Sequence, residues 1–223
     1  MKLRHEIKQE ITYADMLILK QRLKAVTKRD PHAIEGKYEI RSLYLDNLTD
    51  KALREKKDGV NIRDKYRIRY YNGDTSLIRL EKKSKINGLC KKESAILTTS
   101  QTLSILNGDY AWMANCESPL IRELYIKMKH EGLRPKTIAD YTREPFIFGP
   151  GNVRVTLDYN IKTGLSGLDF LNSSCVTVPI EGNPIILEVK WDEYLPDIIK
   201  DVLQLNTGRA GAFSKYAACR MYD

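Results

Sequence analysis

Charged residues recur two positions apart inside segments that otherwise read as strands: Glu6-x-Lys8, Arg67-x-Arg69, Glu81-x-Lys83, Arg154-x-Thr156-x-Asp158 and Glu188-x-Lys190. Side chains two apart on a strand share a face. Each segment therefore commits one face to fixed charge, mostly cationic, while the opposite parity is apolar, as at Ile7, Leu80, Leu187 and Val189. A sheet with one solvated face explains one such strand. Repeated over five strands, the pattern describes an interior that surrounds a polyanion. Two more Glu-x-Lys pairs, Glu35-Gly36-Lys37 and Glu55-Lys56-Lys57, sit beside a glycine or in a helical run and are set aside.

The chain of 223 residues suits one large domain over 1–223, and a β-barrel of this size need not be divided. A formal charge of +8 favours an anionic partner, and only the placement of that charge chooses among nucleic acid, membrane surface and phosphometabolite. Cys90, Cys116, Cys175 and Cys219 lie far apart with no C-x-x-C, so neither a zinc site nor a disulfide framework is indicated. Scattered thiols suit the cytosol, and no apolar run approaches the length of a signal-peptide core or a membrane span. The expectation is a soluble cytoplasmic protein.

Local signals supply the elements. Thr12 is placed to cap a helix with Met16, Leu19, Leu23 and Val26 at helical spacing, ending near Asp30-Pro31. Tyr38 to Asp46 reads as a strand and Asn47 to Lys57 as a short helix. Asn61 to Tyr71 and Ser76 to Ile86 form a hairpin about Asn72-Gly73, and Asn87-Gly88 turns into Leu89 to Leu97. Helices follow over Thr99 to Leu106 and from Ser118-Pro119 to Gly132. Strands resume at Lys136 to Ile147 and Val153 to Ile161. Ser174 to Ile180 pairs with Ile185 to Trp191 through Glu181-Gly182-Asn183, and helices at Leu195 to Leu205 and Phe213 to Met221 close the chain. About eight strands with inserted helices give an α+β fold, an eight-stranded antiparallel β-barrel with helices packed on its outside and charge lining its interior.

The segments RHEIKQEI (Arg4 to Ile11), SLYLD (Ser42 to Asp46), KYRIRYY (Lys65 to Tyr71), LEKKSK (Leu80 to Lys85), YTREPF (Tyr141 to Phe146), VRVTLD (Val153 to Asp158), LEVKW (Leu187 to Trp191) and FSKY (Phe213 to Tyr216) together resemble the VTC domain. That is the catalytic module of vacuolar transporter chaperone polyphosphate polymerases, within the triphosphate tunnel metalloenzyme, CYTH-like group. The resemblance implies a tunnel that binds ATP, triphosphate or polyphosphate and uses Mn2+ or Mg2+. It implies that Lys8, Arg67, Arg69, Lys83, Arg143, Arg154 and Lys190 line the tunnel and hold phosphates, with Arg4 and Lys92 as further contacts. Parity leaves open whether Lys91 or Lys92 points inward. Glu188 matches the family's metal-binding glutamate, and Lys215 resembles a tunnel lysine near the transferred phosphate. Glu6 fits the first-strand carboxylate, although the pattern here is Arg-x-Glu-x-Lys where the wider group has Glu-x-Glu-x-Lys.

A triphosphate out of water needs many fixed cations, with two-pronged contacts from arginine and point charges from lysine. Transfer to the already ionised end of a polyphosphate needs no general base, which suits a chain whose three histidines, His5, His32 and His130, form no constellation. The leading expectation is therefore a polyphosphate polymerase moving the γ-phosphate of ATP onto a growing chain. Hydrolysis of tripolyphosphate or nucleoside triphosphates is the alternative, with Glu6, Glu81 or Asp158 to activate water; for Asp158 a structural ion pair is preferred. A non-catalytic polyphosphate-binding module is the third reading. Nucleic acid ranks last, because the cations face a narrow lumen. Gly208-Arg209-Ala210-Gly211 lacks the ending of a P-loop and reads as a helix connection.

Overall fold

In the computed structural model, residues 3–205, 209–211 and 213–222 are described. After β1 (His5–Ile11), Thr12 opens α1 (Tyr13–Val26) with a capping box: its Oγ1 accepts from Asp15 N at 3.1 Å, and Asp15 Oδ2 accepts from Thr12 N at 3.1 Å. The helix stops at Thr27, short of the expected Asp30-Pro31, because β2 (Lys28–Arg29) pairs with Ile147 and Phe146. Next come β3 (Tyr38–Asp46), α2 (Lys51–Lys57), β4 (Ile62–Tyr71), β5 (Asp74–Ile86) and β6 (Leu89–Leu97). Asn72 and Gly73 take φ of 53° and 72°, the left-handed pair that an Asn-Gly hairpin turn requires. α3 (Thr99–Leu106) and α4 (Pro119–His130) lead to β7 (Arg134–Phe148), β8 (Val153–Thr163), β9 (Val178–Pro179), β10 (Ile185–Trp191), α5 (Asp197–Val202), β11 (Arg209–Ala210) and α6 (Lys215–Cys219).

The strands pair antiparallel in the order β11-β1-β10-β8-β7-β3-β4-β5-β6, with β2 on β7 and β9 on β8. The sheet curls until its ends meet at one bridge, where Arg4 and Cys90 exchange N–H···O bonds of 3.1 Å. Among the described residues that bridge is the only backbone pairing between the β1 and β6 ends, so the expected eight-stranded closed barrel is instead an open sheet. The cause lies at the β1 edge. Gln9 and Glu10 are taken by Ala210 and Arg209 of β11, and only the start of the segment is left for β6.

The convex face is apolar and covered by helices. Leu19 and Leu23 of α1 pack on Val155, Leu157, Leu187 and Val189. Ile105, Leu120, Leu124 and Met128 from α3 and α4 pack on Leu43, Ile68, Ile78 and Leu80. One helix departs from the expected outer layer. Tyr216 and Cys219 of α6 pack with Ile40, Tyr44, Ala139, Tyr141, Ile161 and Ile186, which lie on the concave side. The end of the curl is thus plugged by α6, and Tyr216 OH donates to Asp46 Oδ2 at 2.7 Å. Asp46 also caps α2, accepting from Ala52 N at 2.9 Å and Leu53 N at 3.1 Å.

Near the C-terminus the expected pairing of Ser174–Ile180 with Ile185–Trp191 does not form. Only Val178 and Pro179 are extended, and they pair with Lys162 and Thr163 of β8. Proline lacks the N–H of a continuous ladder, so its strand stays short and at an edge. The expected helix over 195–205 begins only after Pro196, and Ser214 caps α6 through its bond from Ala217 N. Gly208 of the predicted helix connection lies outside the described residues; Arg209 and Ala210 form a strand instead.

Candidate functional site

On the concave side the sheet encloses a cavity of about 890 Å³. Parity brings the charged residues of β1, β4, β5, β6, β7, β8 and β10 onto its wall, and α6 adds Lys215 from the plugged end. Among the described residues, fifteen lysines and arginines line it against three carboxylates, Glu6, Glu188 and Asp192. The phosphate-binding and metal-binding residues expected from sequence line this cavity, namely Arg4, Glu6, Lys8, Arg67, Arg69, Lys83, Lys92, Arg143, Arg154, Glu188, Lys190 and Lys215, whereas Glu81 and Asp158 lie behind its surface. Lys92 stands directly across from Lys83 and its Nζ lies 3.3 Å from Glu81 Oε1, while Lys91, paired with Glu93, also lines the cavity.

The cations are arranged around buried carboxylates. Across β1 and β10, Glu6 faces Lys190 and Lys8 faces Glu188. Lys83 Nζ donates to both oxygens of Glu6 at 2.6 and 2.8 Å, and Lys8 Nζ lies 3.1 Å from Glu188 Oε2. Burial would raise the Glu6 carboxyl, as would the neighbouring Glu188, but Lys8, Lys83 and Lys190 bring it down to about 2. Glu188 is held well below the usual range, its burial outweighed by Lys190, Lys8 and Arg143.

Deeper in, Arg143 grips Asp158 with two prongs, at 2.6 and 2.7 Å, and Lys215 Nζ donates to the same carboxylate at 2.5 Å. Against the cost of burial these cations bring Asp158 to about 2. Arg67 binds Glu81 Oε2 through Nε at 2.8 Å and Nη2 at 2.7 Å. Glu81 and Asp158, weighed from sequence as water activators, are therefore ion-pair partners of cavity cations.

Reading the sequence for charge alone missed Tyr141 and Lys65. Tyr141 OH accepts from Arg69 Nη2 at 2.7 Å, and Lys215 Nζ stands 4.4 Å from its ring centroid. Burial would raise that phenol, but Arg69, Arg143, Lys215 and Arg67 lower it to about 8. The available signal was parity: Tyr141 shares a face with Arg143, as Lys65 does with Arg67. Arg69 Nε and Arg154 Nε are buried without an acceptor among the described residues, donors left for an anion.

Glu6 and Glu188 also fit a divalent cation. Mg2+ and similar hard ions are held by one or two carboxylates, with phosphate oxygens and water completing the shell. Glu188 Oε1 lies beside Lys190 and 3.7 Å from Arg143 Nη2, yet accepts no well-directed hydrogen bond. Among the described residues no three Asp, Glu, His or Cys converge, so the remaining ligands would be phosphate and water. None of the described helices is long and apolar enough to cross a membrane.

A putative adenylate cyclase from Bacillus halodurans shares the fold with a TM-score of 0.53, at 11% identity over 91% of this chain and 88% of its own. The PH1819 protein of Pyrococcus horikoshii aligns over 98% of both chains at 13% identity, with a TM-score of 0.49. No curated protein matches the chain. The curled antiparallel sheet is the fold shared with that putative cyclase. The chain belongs to the VTC domain family, whose model matches residues 3–222.

Proposed function

We propose that the cavity is a tunnel that takes the triphosphate of ATP and passes its γ-phosphate to the end of a polyphosphate chain, making the protein a metal-dependent polyphosphate polymerase. The state of the carboxylates carries this reading. Glu6, Glu81, Asp158 and Glu188 are each engaged by cations and held below the usual carboxylate range. Such groups are weak bases, so none is suited to take a proton from water near neutral pH. The terminal oxygen of a polyphosphate is already ionised and requires no base. Phosphoryl transfer then depends on positioning the chain and neutralising its oxygens.

Arg67, Arg69 and Arg143 supply fork-shaped donors, and Arg4, Lys8, Lys83, Lys92, Arg154 and Lys190 supply charge along the wall. Lys215, fixed between Asp158 and the Tyr141 ring, is assigned to the transferred phosphate. Glu188, with Glu6, would hold Mn2+ or Mg2+, which would supply positive charge to offset that of the phosphate oxygens. Incubation of the protein with ATP and either metal tests the reading. ADP together with lengthening polyphosphate is expected; orthophosphate without chain growth would replace it with a hydrolase. Tight tripolyphosphate binding with no turnover and no metal dependence would leave a binding module.

A further inference from the structure

Unlike the rest of the wall, one corner of the cavity carries cations with no carboxylate. Lys56 of α2, Arg63 and Lys65 of β4 and Lys85 of β5 line it, and no carboxylate among the described residues lies within ion-pair distance of any of them. The nearest polar partner of Lys65 Nζ is Ser214 Oγ at 3.3 Å, with the Tyr216 ring centroid at 5.6 Å. Arg63 spends its guanidinium on the carbonyls of Val60 and Glu55. Across the ladder Lys65 stands opposite Lys83, and Arg63 opposite Lys85. Like charges placed directly opposite destabilise a sheet. Burial, together with Lys56, Arg63, Lys8 and Lys83, brings the Lys65 amine down to about 7, and burial with its cationic neighbours lowers Lys56 as well.

Arg63 and Lys56 serve the C-terminal end of α2, but no carboxylate among the described residues balances the charge gathered at Lys65 and Lys85, which a bound anion would relieve. We infer that Lys56, Arg63, Lys65 and Lys85 form a separate anion subsite, which takes phosphate groups of a linear polyphosphate beyond those held by the acid-paired cations. The inference rests on the polyphosphate reading above. It extends that reading because Lys8 and Lys83 act on Lys65 from one side and contact Glu6 and Glu188 on the other, so one chain spans both regions without leaving cationic surroundings.

Calorimetric titration of tripolyphosphate and of a longer linear polyphosphate, into wild type, Lys65→Met and Lys85→Met, tests it. The longer chain is expected to bind wild type about tenfold tighter than tripolyphosphate, one charge-assisted contact's worth. Lys65→Met should remove that gain and leave tripolyphosphate within about twofold, with Lys85→Met losing part of it. Its melting temperature should rise, since a buried unpaired charge is gone, which separates lost binding from lost folding. Equal weakening of both anions, or of neither, would overturn the subsite while leaving the polyphosphate reading intact. Orthophosphate binding to the tripolyphosphate-loaded protein, lost in Lys65→Met, would overturn the chain assignment in favour of a free phosphate. If wild type binds neither linear anion, the polyphosphate reading fails and the subsite with it.

Discussion

Two walls of the same cavity hold their cations on different terms. Where β1 lies against β10, the register sets unlike charges opposite each other, Glu6 across from Lys190 and Lys8 across from Glu188. Across β4, β5 and β6 it sets three lysines abreast, Lys65, Lys83 and Lys92. The first wall is balanced before any ligand arrives. In the second, Lys83 takes its partner, Glu6, from the opposite wall, Lys92 takes Glu81, and Lys65 has no carboxylate partner among the described residues. The Lys83–Glu6 pair also ties β5 to β1 where the backbone ladder does not close. Charge thus serves both to grip an anion and to join the two ends of the sheet.

The sharpest way to break the comparison is to remove a guanidinium that the proposed reaction uses directly. Arg69 is buried, with Nη2 donating to Tyr141 OH at 2.7 Å and Ser42 Oγ at 3.2 Å, and with Nε unmatched. Arg69→Ala is expected to lower turnover by about a thousandfold, measured as ADP formation from ATP. Arg69→Lys should recover little of it, because a point charge cannot reproduce the fork.

On the balanced wall the opposite kind of change applies. Glu188→Gln removes a negative charge while keeping the shape, so metal-free tripolyphosphate should bind as tightly or more tightly. Turnover should fall about a hundredfold and lose its response to added Mn2+ or Mg2+. Weaker metal-free binding in this variant would mean that Glu188 is needed to position Lys8 and Lys190, and its role would then be structural.

Much of this wall was legible from residue order alone. Alternation assigned Glu6, Lys8, Arg67, Arg69, Lys83, Arg154, Glu188 and Lys190 to one face, because each strand is apolar at the opposite parity. The side of the sheet on which a five-residue helix packs was not legible. α6 carries too few positions for a stripe, and its place inside the curl depends on Tyr216 meeting Asp46 from far along the chain. The open seam depended on β11 reaching Gln9 and Glu10, two residues of strand with no alternation to read. The isolation of Lys65 is a fact of register, since its sequence neighbours Asp64 and Arg67 suggest company that the fold assigns elsewhere: Asp64 pairs with Lys82 on the far face.

The two walls should also titrate in separate windows, each gaining stability as pH rises but for opposite physical reasons. Glu6 and Asp158 sit at about 2, against 4.5 and 3.8 when unperturbed, so their stabilisation is complete above about pH 4.5 and is lost as pH falls towards 2. For Lys65 the slope has the same sign and the cause is reversed, because folding disfavours its charged form. Between about 7 and 10.5 the unfolded chain keeps a proton that the folded protein has released, so stability rises with pH through that window. After discounting for solvent, the rise should be about 2 kcal/mol, read from denaturant midpoints at pH 7 and 10. Lys65→Met should flatten that slope and leave the acid limb unchanged. An unaltered slope in the variant would show that Lys65 is charged and paired in solution.

A smaller effect is expected where α6 joins the two walls. Its Lys215 reaches Asp158 of β8, while the adjacent Tyr216 is pinned to Asp46 at the end of β3. Tyr216→Phe removes that pin without emptying the apolar plug. Asp46 keeps two backbone donors from α2, so the loss should be that of a single buried hydrogen bond, about 1 kcal/mol. The catalytic consequence should be out of proportion to the change in stability. With α6 free to shift, the Lys215 amine leaves its place over the Tyr141 ring, and a small misplacement of a group aimed at a reacting phosphate costs rate more than affinity. Turnover is therefore expected to fall by about tenfold with KM for ATP nearly unchanged. A rise in KM at constant turnover would instead place Lys215 in ground-state binding, as one more cation of the balanced wall.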